Sequence, residues 1–235
     1  PGIAPAYDGK AWTKDEKIFA TMIDMIDRDV GRLNGLLKEL AIDDNTIVFF
    51  TSDNGGWRRH DGRFDSNRGL RGSKGDIYEG GLRVPMIVRW PGRTPAGAGS
   101  DVPMYFADIL PTLADVAGAP VPPKIDGVSL LPSILGKRQT LDRMLYWEQY
   151  SGGGGGFQQA ARWGKWKGIR IDGKPFELYD LGKDPEEKSN VATANAAVVQ
   201  KITEFLKSAH VPSPNWPKRL AKAEKAQKEK KKAKE

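Results

Sequence analysis

The chain has no cysteine in 235 residues, which excludes disulfides, thiolate metal sites and a cysteine nucleophile within it. It has no run of about 18 apolar residues, so no segment is suited to spanning a membrane. It also lacks a charged-then-apolar start of the signal-peptide kind. The first residue is Pro1, not Met; a removed leader, a trimmed start and a piece of a longer chain share that feature, so targeting is not legible there. Excess charge is scarce as well, once it is located. Of the net +7, Lys218 to Glu235 contributes +6, from nine basic and three acidic residues. The body of the chain is therefore nearly neutral, and the basic balance describes a tail, not a specific nucleic-acid face.

What is present suits one larger globular domain with a small appendage: 39% of residues are hydrophobic and seven are tryptophan, enough for a packed core. Thr13-Lys14-Asp15-Glu16 has capping-box form. Phe19, Met22, Ile23, Ile26, Val30, Leu33, Leu37 and Leu40 follow at helical spacing, predicting an amphipathic helix over about 14–40. Thr46 to Ser52 is a short continuous apolar run, the pattern of a strand buried on both faces of an α/β sheet. Arg83 to Trp90 is a second strand candidate, with Pro85 near its start or on an edge. Phe106 to Val116 reads as a helix stopped by Gly118.

The pattern changes after about residue 140. LYWEQY, ARWGKWKGIRI and PFELYDL are short strand-like stretches with a hairpin signal at Asp172-Gly173. An amphipathic helix carrying Val198, Val199, Ile202, Phe205 and Leu206 follows Asp184-Pro185. The expected organisation is an α/β portion over 1–140, a small antiparallel sheet with one helix over 141–211, and a Lys-rich tail over 212–235. Gly152 to Gly156 reads as a flexible loop. The tail reads as a solvated or frayed helix, with contact to an anionic surface as the other reading.

The chemistry concentrates between residues 46 and 81. The first strand empties into Ser52-Asp53-Asn54-Gly55-Gly56, and in open α/β sheets ligands sit beyond the carboxyl ends of strands. A carboxylate beside an amide oxygen offers two hard donors suited to Ca²⁺ or Mg²⁺, although Asp-Asn-Gly is also an ordinary turn former. Downstream, Asp65 to Gly75 interleaves glycine with cations. Backbone can then approach an anion while Lys74 supplies a compact point charge; a solvated basic loop is the competing reading.

SDNGG, then LRGSKG, then YEGGLRVPMIVRWPG resembles the C-terminal half of a type I sulfatase, the arylsulfatase family of the alkaline-phosphatase-like superfamily. The likeness runs from about Tyr7 to His210 and includes DRDVGRL at 27–33, ARWGKWKGIRI and ELYDLGKDPEEKSNVA. One such motif is weak, but their number, order and spacing make the assignment specific. The resemblance implies an alkaline-phosphatase-like mixed sheet flanked by helices, here partial. It implies that Asp53 and Asn54 are two ligands of a divalent ion, usually Ca²⁺, and that Lys74 contacts the sulfate group. His60 matches a histidine with a substrate-side role in some members, an exposed loop histidine being the other reading. Arg71, Glu79 and Arg83 fit scaffolding positions, and Trp163 and Trp166 fit the core of the small sheet.

The family nucleophile is a formylglycine made from the Cys or Ser of a Cys/Ser-x-Pro-Ser-Arg motif. No cysteine exists here, and Ser129, Ser133 and Ser213 all lie outside that context. The expectation is a sulfuric ester hydrolase whose nucleophile half, with its remaining metal ligands, is not in this chain, so that the chain alone is inactive. The substrate would be a sulfate-ester small molecule or a sulfated glycan, and the resemblance implies periplasmic or secreted localisation. The alternatives are a phosphatase or phosphodiesterase of the same superfamily and a non-catalytic polyanion- or carbohydrate-binding remnant.

Overall fold

The computed structural model describes residues 2–150 and 156–213, with the side chains of 60–62 outside that description. In chain order the elements are α1 (Pro5–Asp8), α2 (Lys14–Glu39), β1 (Val48–Thr51), α3 (Asp61–Phe64), α4 (Glu79–Leu82), β2 (Met86–Arg89), α5 (Ile109–Ala117), α6 (Leu131–Ile134), β3 (Met144–Tyr150), β4 (Phe157–Trp163), β5 (Trp166–Ile171), β6 (Glu177–Asp180) and α7 (Ala196–Ala209).

α2 starts where the capping box places it. Thr13 Oγ1 accepts the Glu16 N–H at 3.2 Å, and Glu16 Oε2 accepts the Thr13 N–H at 2.7 Å, so two otherwise orphaned donors are satisfied. Only Ala20 and Thr21 are buried along this helix. Met22, Ile23, Ile26, Leu33 and Leu40 of the apolar stripe stay exposed, as does Leu36 beside it.

β1 and β2 pair antiparallel, from Val48 opposite Arg89 to Thr51 opposite Met86. This differs from the doubly buried strand expected of the apolar run. Phe50 and Ile87 sit directly opposite each other and are 37% and 59% exposed, whereas Phe49 and Val88 are half-buried. A run of apolar residues reports affinity for cover on both faces, but among the described residues only one face of this pair is covered. Arg89 closes its end with a two-pronged bond to Asp43, at 2.6 and 2.7 Å.

α5 ends at Gly118, which takes φ +64°, a left-handed C-terminal conformation that glycine adopts without strain. At its entrance Asp108 is fully buried. Arg143 grips it at 2.5 and 2.6 Å, and it also accepts the N–H groups of Tyr105 and Val128. With every lone-pair direction used, this carboxylate serves the fold.

The small sheet has order β3-β4-β5-β6, all antiparallel. One face packs on α7 through Ala161, Leu178, Ile202 and Leu206. The other buries Ala160, Ile169, Ile171 and Tyr179 against Ile77, with Tyr78 and Leu82 beside them. The stretch ARWGKWKGIRI is two strands, not one: the chain reverses at Gly164-Lys165, leaving Trp163 opposite Trp166. Gly164 supplies the positive φ, +55°, that so tight a turn needs. The glycine run from 152 and the Lys-rich tail fall outside the described residues, apart from Gly156, Pro212 and Ser213.

Candidate functional site

Beyond β1 the chain does not simply turn; three backbone segments stack in contact, and glycine makes this feasible. A Cβ on Gly55 would lie 1.8 Å from the Gly80 carbonyl oxygen. A Cβ on Gly81 would meet the Asp76 carbonyl oxygen at 2.1 Å, and one on Gly80 would meet three carbonyl oxygens at 2.4 to 2.8 Å. Residues 55–56, 66–76 and 79–81 can therefore close on one another only because no side chain intervenes. Gly55 donates its N–H to Gly81 at 3.0 Å, Gly80 donates to Arg71 at 2.7 Å, and Lys74 donates to the Gly56 carbonyl at 3.0 Å.

Asn67 fastens the stack. Its Oδ1 accepts the Gly56 N–H at 2.7 Å, and its Nδ2 donates to the Gly72 carbonyl at 2.9 Å and more weakly to Gly56 at 3.4 Å. Asp76 Oδ2 accepts the Ser73 N–H at 2.8 Å, fixing the turn that carries Lys74. The Gly75 carbonyl receives Gln149 Nε2 from β3 at 2.9 Å. Asp53 and Asn54 thus sit two to three residues from the carbonyl to which the Lys74 backbone is tied. The structure brings these three residues to one end of β1.

The charges here divide into two sets. Arg59 pairs with Asp15 at 2.6 Å and Arg63 with Glu16 at 3.3 Å, strapping the segment to the start of α2. Arg71 lies over the Tyr78 ring at 3.8 Å and donates to the Tyr179 hydroxyl at 2.7 Å and the Glu187 carbonyl at 3.1 Å. Burial together with the neighbouring Glu177 carboxylate pushes the Tyr78 hydroxyl up to about 12, so these phenols stay protonated and act as hydrogen-bonding struts. By contrast, Asp53 and Lys74 are exposed and Asn54 half-buried. None of the three side chains has a hydrogen bond or ion pair among the described residues. Arg68 and Arg83 are similarly unpaired, and Arg83 therefore lacks the scaffolding contacts expected of it.

Behind the stack is a buried ion cluster. Lys167 of β5 is fully buried and places Nζ 2.9 Å from Glu79 Oε1 and 3.1 Å from Glu187 Oε1. Glu187 Oε2 accepts the Glu79 backbone N–H at 2.7 Å, and Arg162 stands 4.0 Å from Glu79. Burial raises the Glu187 carboxyl above its ordinary value, opposed by the Lys167 charge and the Glu79 N–H. Glu79 is scaffolding, as is Arg71. Trp166 joins the core on the α7 face, while Trp163 bonds Asp142 through Nε1 at 3.1 Å and lies under Lys201, whose Nζ is 3.6 Å from the ring centroid.

His60 closes the short turn Arg58–His60; its side chain lies outside the described residues. Asn67, Gln149 and the Lys167 cluster were not singled out from sequence. Their only sequence signal is a lysine in the apolar row Lys167, Ile169, Ile171 of β5. An unpaired carboxylate beside an amide oxygen fits a hard cation such as Ca²⁺ or Mg²⁺, which takes roughly six to eight oxygen ligands in the first case. Two donors do not complete such a shell. Among the described residues no group of three or more His, Cys, Asp or Glu converges on a common point, and no helix is long and apolar enough to cross a membrane.

The sulfatase family profile matches residues 15–119, and the profile described as N-sulphoglucosamine sulphohydrolase, C-terminal, matches residues 73–211. Human arylsulfatase A is 31% identical over 229 residues, covering 86% of this chain and 45% of that protein. The N-acetylgalactosamine-6-O-sulfatase of Bacteroides thetaiotaomicron is 31% identical over 211 residues, covering 78% and 40%. The crystal structure of Ps i-CgsB in complex with k-i-k-neocarrahexaose superimposes with a TM-score of 0.76 at 31% identity, over 86% of this chain and 45% of that one. The chain thus spans less than half the length of these relatives. The second profile alone covers more than half of the chain and includes the stacked Lys74 turn, the Glu79 return and the whole small sheet. The fold and this profile agree: the chain belongs to the sulfatase family.

Proposed function

We propose that this chain supplies the metal and lysine side of an active site that hydrolyses sulfate esters, on a sugar or another alcohol. The observation that carries the reading is the stacked turn. It brings Asp53, Asn54 and Lys74 to one end of β1 with their polar groups uncommitted, while Arg59, Arg63 and Arg71 around them are bound to protein. Lys74 would donate to a sulfuryl oxygen as charge redistributes over the sulfate, an electrostatic contribution that grows in the transition state. Asp53 and Asn54 would hold a divalent ion, Ca²⁺ or Mg²⁺, which when bound supplies further charge stabilisation at the same group. His60 would stand on the substrate side, as the resemblance implies.

Neither Lys74 nor a metal ligand is the attacking group. A formylglycine from a Cys/Ser-x-Pro-Ser-Arg motif, absent from these 235 residues, would provide it, along with the remaining ligands. The whole protein would be exported, as the resemblance implies.

The test uses an aryl sulfate and two proteins: the 235-residue chain, and the longer reading frame carrying the nucleophile motif. The chain alone should show no turnover. The longer protein should be active, and Lys74→Ala should reduce kcat by about 10²- to 10³-fold, the scale of losing one preorganised charge-stabilising donor. Hydrolysis by the chain alone, abolished by Asp53→Ala, would overturn the reading. So would a longer protein that turns over a phosphonate or phosphate ester and leaves the sulfate untouched.

A further inference from the structure

Two Asn-Gly pairs occur in the sequence, Asn34-Gly35 and Asn54-Gly55. Such a pair is chemically labile: the glycine nitrogen can attack the asparagine side-chain amide, because glycine has no Cβ to crowd the approach and its backbone turns freely. At residue 55 the glycine is imposed by the fold. Gly55 is buried, and a Cβ on it would lie 1.8 Å from the Gly80 carbonyl oxygen. The stack therefore requires a labile pair at the end of β1.

The same stack opposes the reaction. Attack needs the peptide group between residues 54 and 55 to rotate until Gly55 N meets Asn54 Cγ, and it needs that nitrogen to give up its proton. Both ends of this peptide group are tied. Gly55 donates its N–H to the Gly81 carbonyl at 3.0 Å, and the Asn54 carbonyl accepts the Ser52 hydroxyl at 2.9 Å. The following residue is pinned as well, since the Gly56 N–H bonds Asn67 Oδ1 at 2.7 Å and the Gly56 carbonyl receives the Lys74 N–H at 3.0 Å. Rotation breaks the first pair of bonds and strains the second.

We infer that Asn54 is a deamidation site that the closed stack holds in check and that opening of the stack releases. In the open state a bond forms between Gly55 N and Asn54 Cγ, the Cγ–Nδ2 bond breaks, and Nδ2 leaves as ammonia with the proton from Gly55 N. Water then opens the cyclic imide at either carbonyl, giving aspartate or isoaspartate. The net change is amide plus water to carboxylic acid plus ammonia. Isoaspartate adds a methylene to the backbone between residues 54 and 55, which the close contact of Gly55 with Gly80 cannot absorb. The chemistry stands apart from the proposed function; only its consequence, loss of the amide oxygen offered to a metal, rests on that reading.

Asn34-Gly35 lies inside α2 and serves as the internal control, because its reaction follows opening of the helix and not of the stack. The experiment incubates the 235-residue chain in mildly alkaline buffer, folded and in urea, and follows both sites by peptide mass spectrometry with enzymatic detection of isoaspartate. Where opening is fast and reversible, the rate tracks the open population. Asn54 in the folded chain should react more slowly than in urea by a factor of about ten or more. Asn67→Ala should speed Asn54 about 5- to 100-fold, and Ser52→Ala, which removes one hydroxyl, about two- to tenfold, with Asn34 unchanged in both. Should Asn67→Ala unfold the chain, both sites rise together and Ser52→Ala decides. The inference is overturned if folded Asn54 reacts as fast as in urea, if Ser52→Ala leaves its rate at the wild-type value, or if Ser52→Ala speeds Asn34 as much as Asn54.

Discussion

Lys167→Met tests whether the buried ion cluster holds the candidate site together. Methionine replaces the aliphatic stem of Lys167 and deletes the ammonium that stands 2.9 Å from Glu79 and 3.1 Å from Glu187. Both carboxylates are buried, and the nearest other cation, Arg162, is 4.0 Å from Glu79 alone. Removing one partner of a buried pair costs about 3–5 kcal/mol, because the remaining charge is stranded. The upper part of that range is expected here, since two carboxylates are left facing each other. The loss should depend on pH in a defined sense. The folded-state value for Glu187 is raised, so its contribution to stability is full below the ordinary carboxylate value and is lost as pH rises through the folded one. Lys167 opposes that rise, and its removal moves the folded value higher still. The variant should therefore recover stability on mild acidification, when one carboxylate takes up a proton. Urea unfolding followed by tryptophan fluorescence at neutral and mildly acidic pH measures both quantities. A loss below about 1 kcal/mol, or one of equal size at the two pH values, would refute the reasoning.

Two further substitutions probe the stack itself. Gly80→Ala places a methyl 2.4 to 2.8 Å from the carbonyl oxygens of Leu70, Arg71 and Gly72. It should cost about 3 kcal/mol, the upper end for overpacking, read as a fall in the thermal midpoint; an unchanged midpoint would mean that the three segments are not in contact. Asn67→Ala strips the bonds that join Gly56 to Gly72 and leaves half-buried backbone groups unpaired. It should cost about 1–3 kcal/mol and speed proteolysis within residues 66–74; protection equal to wild type would show that Asn67 does not fasten the loop.

Local signals carried far in this sequence, and their limit is physical. Thr13 and Glu16 announced α2 because a capping box is built from neighbours, and Gly118 announced the end of α5 for the same reason. The partial sulfatase-type fold with its small antiparallel sheet was legible from motif order. The orientation of β1 was not, because an apolar run states how much cover a strand wants and says nothing about which strand pairs with it. The reversal at Gly164 was missed because Gly-Lys between two tryptophans is a quieter turn signal than Asn-Gly or Asp-Gly. The Lys167 cluster had no local signature, since Glu79 stands 88 residues from Lys167 and 108 from Glu187 and meets them only through the fold. For the proposed site, Asp53, Asn54 and Lys74 are candidates that the motif alone suggests, whereas the supports of the turn that carries them, Asn67 and Gln149, act through backbone groups that any sequence contains.

A neutral body that places five arginines within residues 58–71 needs a reason, and pairing supplies it. Arg59 and Arg63 tie the loop to α2, and Arg71 ties it to the small sheet, so their charges are consumed in fixing backbone. The glycines at 55, 56, 80 and 81 then let that backbone close until the Lys74 amide meets the Gly56 carbonyl. Fixing costs conformational entropy for every residue of the loop, and the loop has little apolar core of its own to offset it. The ion pairs, the Arg71 stack on Tyr78 and the Lys167 cluster are what offset it. Rigidity of this origin matters for chemistry because a charge-stabilising group is effective only if it is already in place when the charge develops. On the proposed function, Asp53, Asn54 and Lys74 are left unpaired for a ligand, and the residues left paired are the reason those three can wait in position.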